Sequence, residues 1–116
     1  MPEGDLRSAD REMFEQLAAL EAGTTQHETV RAALIERHLP LVVFMARKFA
    51  DRGEPLDDLI QVGTVGLIKA IDRFEIARGF EFSTFATPTI VGEIKRHFRD
   101  KTWAIRVPRR LQELGA

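Results

Sequence analysis

Apolar residues recur at intervals of three and four along nearly the whole chain, a spacing that stacks them on one face of successive α-helices. Ser8 can cap a first helix whose apolar face is Met13, Phe14, Leu17 and Leu20, and Gly23 can end it. Thr25 and Glu28 have the T-x-x-E spacing of a capping box and open a second apolar segment through Val30, Leu34 and Ile35 to Leu39. Pro40 either kinks this helix or restarts it, and the pattern Leu41, Val42, Phe44, Met45 and Phe49 continues to Gly53. Residues 41–46 are apolar almost all round, which predicts that this is the central, most buried helix.

Pro55 opens a third helix with Asp57 and Asp58 in its first turn, where carboxylates favour the positive end of the dipole. Leu59, Ile60, Leu67, Ile71 and Phe74 supply its inner face. Gly63 and Gly66 inside it each cost about 1 kcal/mol relative to alanine, which makes sense where another backbone approaches closely. Ser83 is the expected N-cap of a fourth helix through Ile90, Ile94 and Phe98 to about Asp100, bent near its start by Pro88. Residues 101–107 read as an extended connector, because Val107 precedes a proline. Pro108 would then begin a fifth helix that stops at Ala116, an unfinished element expected of a longer parent protein. The expected fold is all-α: a compact bundle of about four to five helices, without internal repeats.

A chain of 116 residues fits one domain of this kind. The absence of cysteine excludes disulfides, thiolate metal sites and a cysteine nucleophile. No apolar run approaches the roughly 18 residues of a membrane span, and the acidic start (Glu3, Asp5) is unlike a secretory signal. An intracellular location without membrane contact is the default expectation.

The net charge of −1 conceals a polarised distribution. Residues 94–116 carry seven basic side chains (Lys95, Arg96, Arg99, Lys101, Arg106, Arg109, Arg110) against Asp100 and Glu113, a net +5. The other 93 residues hold 10 basic and 16 acidic side chains, a net −6. One basic end on an acidic body points to a directed contact such as nucleic acid; a basic helix simply solvated by water reads equally well from charge alone.

Catalytic signatures are sparse. His27, His38 and His97 share no spacing that would set metal ligands on one helical face. Glu93 and His97 lie four apart, which reads first as a surface pair near a helix end. Gly63-x-x-Gly66 lacks the third glycine and the strand–turn–helix setting of a dinucleotide fingerprint, and no phosphate-binding loop of the G-x-x-x-x-G-K-[ST] type occurs. The two serines, Ser8 and Ser83, are both explained as caps. No catalytic residue, metal or cofactor is assigned.

Residues 74–106 are more informative. Phe74, Phe80, Phe82, Phe85, Phe98 and Trp103 are interleaved there with Arg73, Arg78, Lys95, Arg96, Arg99, Lys101 and Arg106. That mixture suits a single nucleic-acid strand, whose bases stack on rings while its phosphates pair with cations. Phe74 and Phe98 fit the core better. Phe80 and Phe82 flank Glu81 in a short loop after Arg78-Gly79, so at least one ring is either open to solvent or laid over a neighbouring helix.

Three strings, DLIQVGTVGLIKAIDRF over 58–74, RGFEFSTFAT over 78–87 and IRVP over 105–108, together resemble domain 2 of the bacterial sigma-70-family transcription initiation factors. The resemblance runs without a gap over about residues 30–110. The variants GEIKRHFRDK over 92–101 and RVPRRLQEL over 106–114 look most like the stress-response and sporulation (sigma-B/sigma-F-like) group. The resemblance implies a region 1.2-like N-terminal helix over 1–24, domain 2 over 25–107, and the start of a following helix over 108–116.

It also implies partners. Residues 56–74 would dock on the clamp helices of the RNA polymerase β′ subunit through Asp57, Asp58, Gln61, Val62, Thr64 and Ile68. Residues 78–89 would assist melting, and 89–106 would read the promoter −10 element, with Thr89 opening that segment. Lys95, Arg96, Arg99, Lys101 and Arg106 would face phosphates and the upstream edge of the bubble. An adenine of the nontemplate strand would leave the stack, at a cost of a few kcal/mol, and be held rather than altered. By position, Phe85 would be the stacking ring, with Phe74, Arg78 and Thr84 around the pocket and Phe80 and Phe82 nearby. An anti-sigma factor would be a further partner. No ATP or other cofactor is implied.

Departures from the family pattern carry expectations too. Housekeeping members have a tryptophan pair where this chain has Pro88-Thr89, and usually tyrosine where it has Phe85. Losing two indoles removes a wedge against the first paired base, which implies weaker intrinsic melting and stricter dependence on promoter sequence. Gly92 and Lys95 replace residues that read the −12 pair, so the preferred −10 sequence should differ. The alternative reading is a truncated protein-interaction module that competes for the β′ clamp or binds an anti-sigma factor.

Overall fold

Glycine, proline and threonine divide the chain where the apolar periodicity breaks. The computed structural model describes the backbone of residues 3–115 and the side chains of residues 8–101. Four α-helices follow in order: α1 (Glu3–Ala19), α2 (Thr25–Arg47), α3 (Leu56–Arg73) and α4 (Phe82–Gly115). Single 3₁₀ turns at Ala50–Arg52 and Ile76–Arg78 join α2 to α3 and α3 to α4. Among the described residues there is no β-strand, so the all-α expectation holds.

Three expected boundaries move. Ser8 lies inside α1, which begins at Glu3, and Ser83 lies inside α4, which begins at Phe82; neither serine is a cap. Phe85 N–H donates instead to the Glu81 carbonyl at 3.1 Å in the first turn of α4. At the start of α2 the cap is Thr24 rather than Thr25: its Oγ1 accepts from the His27 N–H at 3.2 Å and donates to the Glu21 carbonyl at 2.7 Å. The adjacent threonines both suit the role, and only the extended backbone of Thr24 (φ −79°, ψ 158°) is free to fill it.

Pro40 neither stops nor restarts α2, which runs through it. The connector expected over 101–107 is likewise helical, and α4 continues unbroken to Gly115, so among the described residues there is no separate fifth helix. A proline biases its predecessor away from the helical region without forbidding it, and the long helices absorb the missing hydrogen bonds, at Pro40 in α2 and at Pro88 and Pro108 in α4. Pro55 behaves as expected, immediately preceding α3 with Asp57 and Asp58 in the first turn.

The central helix is α3, not the apolar stretch of α2: α3 packs against α2 and, most extensively, against α4. Leu34 and Val42 from α2, Leu59 and Leu67 from α3, and Ile90 and Ile94 from α4 form the fully buried centre. Phe44, within the stretch expected to be buried all round, is 56% exposed, and Lys48 Nζ lies 4.6 Å from its ring centroid. Gly66 explains how closely α3 meets α4. A Cβ there would lie 2.8 Å from Ile90 Cα and 2.9 Å from the Thr89 carbonyl oxygen, so glycine lets the α4 backbone come close. The expected close approach is therefore met at Gly66, whereas at Gly63 the crowding atom is a side-chain methyl, Val42 Cγ1, at 2.9 Å.

α1 closes the bundle near the start of α4. Phe14 is buried, and Asp10 forms an ion pair with Arg37 and lies 3.3 Å from His38 Nε2 on α2. The His38 Nδ1–H donates to the Leu34 carbonyl at 2.9 Å.

Candidate functional site

The segment between α3 and α4 turns sharply at Gly79 (φ +78°), a left-handed conformation that suits glycine. This turn returns the chain so that α4 starts beside the end of α3, and five rings meet there. Phe82 lies 4.9 Å from Phe14, 5.3 Å from Phe74 and 4.6 Å from the His38 ring (centroid distances). Phe74 in turn lies 4.7 Å from Phe14 and 5.4 Å from Phe85. The rings are tilted or edge-on, the favourable arrangements for aromatic pairs.

This cluster sorts the candidate rings. Phe82 is only 3% exposed and belongs to the core; its expected place beside a base pocket is corrected, because His38, Phe14 and Phe74 enclose it. Phe80 is the solvent-open ring of the pair, at 60% exposure. Phe74 and Phe85 are half-buried against the core. Phe98 packs on the core beside Phe49 at 6.1 Å, as expected.

A cleft of about 660 Å³ opens between α1 and the segment leading into α4. Asp10, Arg11 and Phe14 line one wall; Phe74, Ile76, Phe80 and Phe82 line the other. Its volume is that of a small-ligand site. Phe85 lies outside this lining and adjoins it through Phe74.

Helical spacing arranges the remaining candidates. Phe85, Pro88, Gly92, Arg96 and Arg99 follow one another at three- and four-residue steps along α4 and so form one stripe. The ring at one end and the guanidinium at the other are about 21 Å apart along the axis, at 1.5 Å per residue. Thr84, Pro88, Gly92, Lys95, Arg96, Arg99 and Lys101 are exposed, and Thr89 is half-buried against α3. Arg96 Nε sits 4.0 Å from Asp100. Arg78 is exposed and paired with Glu75 at 3.2 Å, a surface contact of small energy that a phosphate could replace. Trp103 and Arg106, with Arg109 and Arg110, lie outside the described side chains.

α3 presents the second candidate surface. Asp57, Gln61, Thr64 and Ile68 share one outward row, with Asp58 and Val62 at its edge. Asp57 and Gln61 are exposed; Asp58, Val62, Thr64 and Ile68 are half-buried. Thr64 spends its hydroxyl on the Ile60 carbonyl at 2.7 Å. Sequence reasoning missed Val65, which is 45% exposed in the middle of this row; its step of four from Gln61 and three to Ile68 was the available signal. At the far end of the row, Asp72 accepts two hydrogen bonds from Arg31, from Nε at 2.8 Å and Nη2 at 2.9 Å. That guanidinium holds the Asp72 carboxyl below the usual carboxylate range, despite partial burial acting the other way.

Among the described residues no group of three or more histidine and carboxylate side chains is placed to hold a metal ion. No helix, among the described residues, is long and apolar enough to cross a membrane.

Comparisons with known proteins converge on one family. A family model described as Sigma-70 region 2 matches residues 34–104. The RNA polymerase sigma-F factor of Kitasatospora aureofaciens is 56% identical over 110 residues, covering 95% of this chain and 37% of the relative. The RNA polymerase sigma factor SigF of Mycobacterium tuberculosis is 52% identical, covering 89% of this chain and 40% of the relative. The RNA polymerase sigma-B factor of Bacillus subtilis is 46% identical over 79% of this chain and 35% of its own length. The chain thus spans about two fifths of the length of these curated relatives.

Proposed function

The chain belongs to the sigma-70 family of transcription initiation factors, within its region 2, and on that premise we propose that it docks on RNA polymerase core and captures the nontemplate strand of the promoter −10 element. The outward row of α3, Asp57 to Ile68 with Val65, meets the β′ clamp helices. The α4 stripe meets DNA, with Phe85 stacking on an unpaired adenine and Lys95, Arg96, Arg99, Lys101 and Arg106 positioning phosphates. Phe74, Arg78 and Thr84 border the base, Phe80 offers a second exposed ring, and Thr89 lies at the upstream edge. Phe82 acts from behind, as a buried support for Phe74.

The observation that carries this reading is the half-buried ring of Phe85, held 5.4 Å from Phe74 at the head of the stripe that ends in exposed cations. A ring fixed from one side loses little entropy when a base stacks on the other, a gain of roughly 1–3 kcal/mol per base. That is the size of the term needed to offset unstacking. The base is bound and released unchanged, so no catalytic step, metal or cofactor is invoked. With a net charge of only −1 and its net positive charge confined to residues 94–116, the chain binds DNA weakly until polymerase supplies further contacts. Its place of action is the bacterial cytoplasm at the nucleoid, and an anti-sigma factor is a further partner that the family resemblance implies.

The test is a mixture of the chain, polymerase core and a labelled single strand carrying a −10-like adenine. The ternary mixture should retain the oligonucleotide while either protein alone does not. Equal retention of a strand lacking the adenine would contradict the reading.

A further inference from the structure

Glu93 and His97 stand four residues apart on α4, and neither pairs with the other. Lys69 of α3 donates to Glu93 Oε2 at 2.9 Å, and His97 Nε2 lies 2.9 Å from Oε1 of Glu54, just before α3. One contact lands on the docking helix and the other on the residue two positions ahead of its start. Glu93, His97 and Glu54 are largely shielded from water, at about one fifth exposure each, so these contacts are less screened than surface pairs. On the same helix Ile90 and Ile94 are buried, and Gly66 allows contact with the α4 backbone itself.

Apolar packing alone is tolerant of small rotations of one helix about another. Two directional polar contacts in one row remove that freedom, because turning α4 about its axis would pull Glu93 from Lys69 and His97 from Glu54 together. The outward stripe of Phe85, Pro88, Gly92, Arg96 and Arg99 is offset from this row by less than a third of a turn. Whatever fixes the row therefore fixes the direction in which the stripe faces.

Resting on the function proposed above, we propose that Lys69–Glu93 and Glu54–His97 are a two-point clamp that sets the rotation of α4 relative to the docking helix, and so couples polymerase docking to the aim of Phe85 and the α4 cations. The four residues are positioning residues: they touch neither base nor polymerase. Their effect is on discrimination rather than on affinity for DNA in general.

The experiment is a charge-swap cycle in the full chain bound to polymerase core. Lys69→Glu, Glu93→Lys and the double swap are compared for their preference between a −10-like strand and the same strand with an abasic site at the adenine. The ratio is the readout because added charge alters phosphate binding to both strands alike. Each single variant should lower the ratio about threefold or more, and the double swap should restore it, with affinity for core unchanged. Singles that leave the ratio intact, or a swap that does not restore it, would overturn the clamp. A restored fall in core affinity with an intact ratio would also overturn it, making the pair part of the docking surface. Should the like-charge singles fail to fold by circular dichroism, Glu93→Gln and His97→Gln are read by the same criterion. If the unmodified chain shows no core-dependent preference for the adenine strand, it is the proposed function that fails, and the clamp with it.

Discussion

Gly66 of α3 faces the Cα of Ile90 with no room for a side chain: a Cβ would come within 2.8 Å of it. The neighbouring atoms are backbone of α4 and cannot swing aside. Gly66→Ala gains up to about 1 kcal/mol of helix propensity, and overpacking sets about 1–3 kcal/mol against it, so a net destabilisation is expected. Gly92 is the control, since it is exposed and a Cβ there meets nothing within 4 Å. Gly92→Ala should stabilise by up to about 1 kcal/mol. Urea melts of the two variants should move in opposite directions.

The two phenylalanines flanking Glu81 should separate just as cleanly. Phe82 lies in the ring cluster and Phe80 faces solvent. Phe82→Ala should cost about 3–5 kcal/mol of folding stability, close to the whole margin of a small domain. Phe80→Ala should stay within about 0.5 kcal/mol. Thermal denaturation followed by circular dichroism distinguishes them.

Acid should weaken the contact between α2 and α3. Asp72 has its folded-state pKa lowered by the hydrogen bonds from Arg31, so the stability it adds is fully present above the ordinary carboxylate pKa. That stability is lost as pH falls through the lowered folded value. Because the Asp72 side chain is 47% exposed, solvent screening limits the effect to about 0.2–1 kcal/mol. Asp72→Asn should therefore be less stable than the parent at pH 7, and the gap should close on approach to pH 2. A gap that persisted at low pH would mean that the ion pair is not its source.

The α3 row should show affinity without stability. Gln61 and Val65 are exposed, so Gln61→Ala and Val65→Ala should melt within about 0.5 kcal/mol of the parent. Both should weaken binding to polymerase core, measured by competition against a labelled sigma factor. Unchanged binding by both would remove this face from the docking surface.

Much of this architecture is legible from apolar spacing, because helices advertise their buried face every three or four residues. Leu59, Leu67, Ile90 and Ile94 all fall where that spacing puts them. Gly66 was legible as well, since a costly residue inside a helix needs a close neighbour to justify it. Local signals were weaker guides at the ends. Ser8 and Ser83 look like caps, yet longer helices swallow them, and the capping box read at Thr25 placed the start of α2 one residue late. Pro108 suggested a break that the continuous α4 does not have.

The candidate site divides along the same line. Which α4 residues share a stripe follows from helical geometry alone. Which ring of Phe80 and Phe82 is sealed depends on His38, Phe14 and Phe74, three residues far apart in the chain that only tertiary packing assembles. The i,i+4 pair Glu93 and His97 illustrates the limit: proximity along the helix suggested a mutual contact, and Lys69 of α3 and Glu54 just before it took one each.

The central claim is that Phe85 grips an unpaired adenine when polymerase is present. Its most direct measurement is the affinity ratio, with core enzyme saturating, between a −10-like single strand and its abasic counterpart, for the parent and for Phe85→Ala. The account predicts a preference of about tenfold or more in the parent that falls towards one in Phe85→Ala, with core binding and helix content unchanged. A ratio that is the same in both proteins would contradict it.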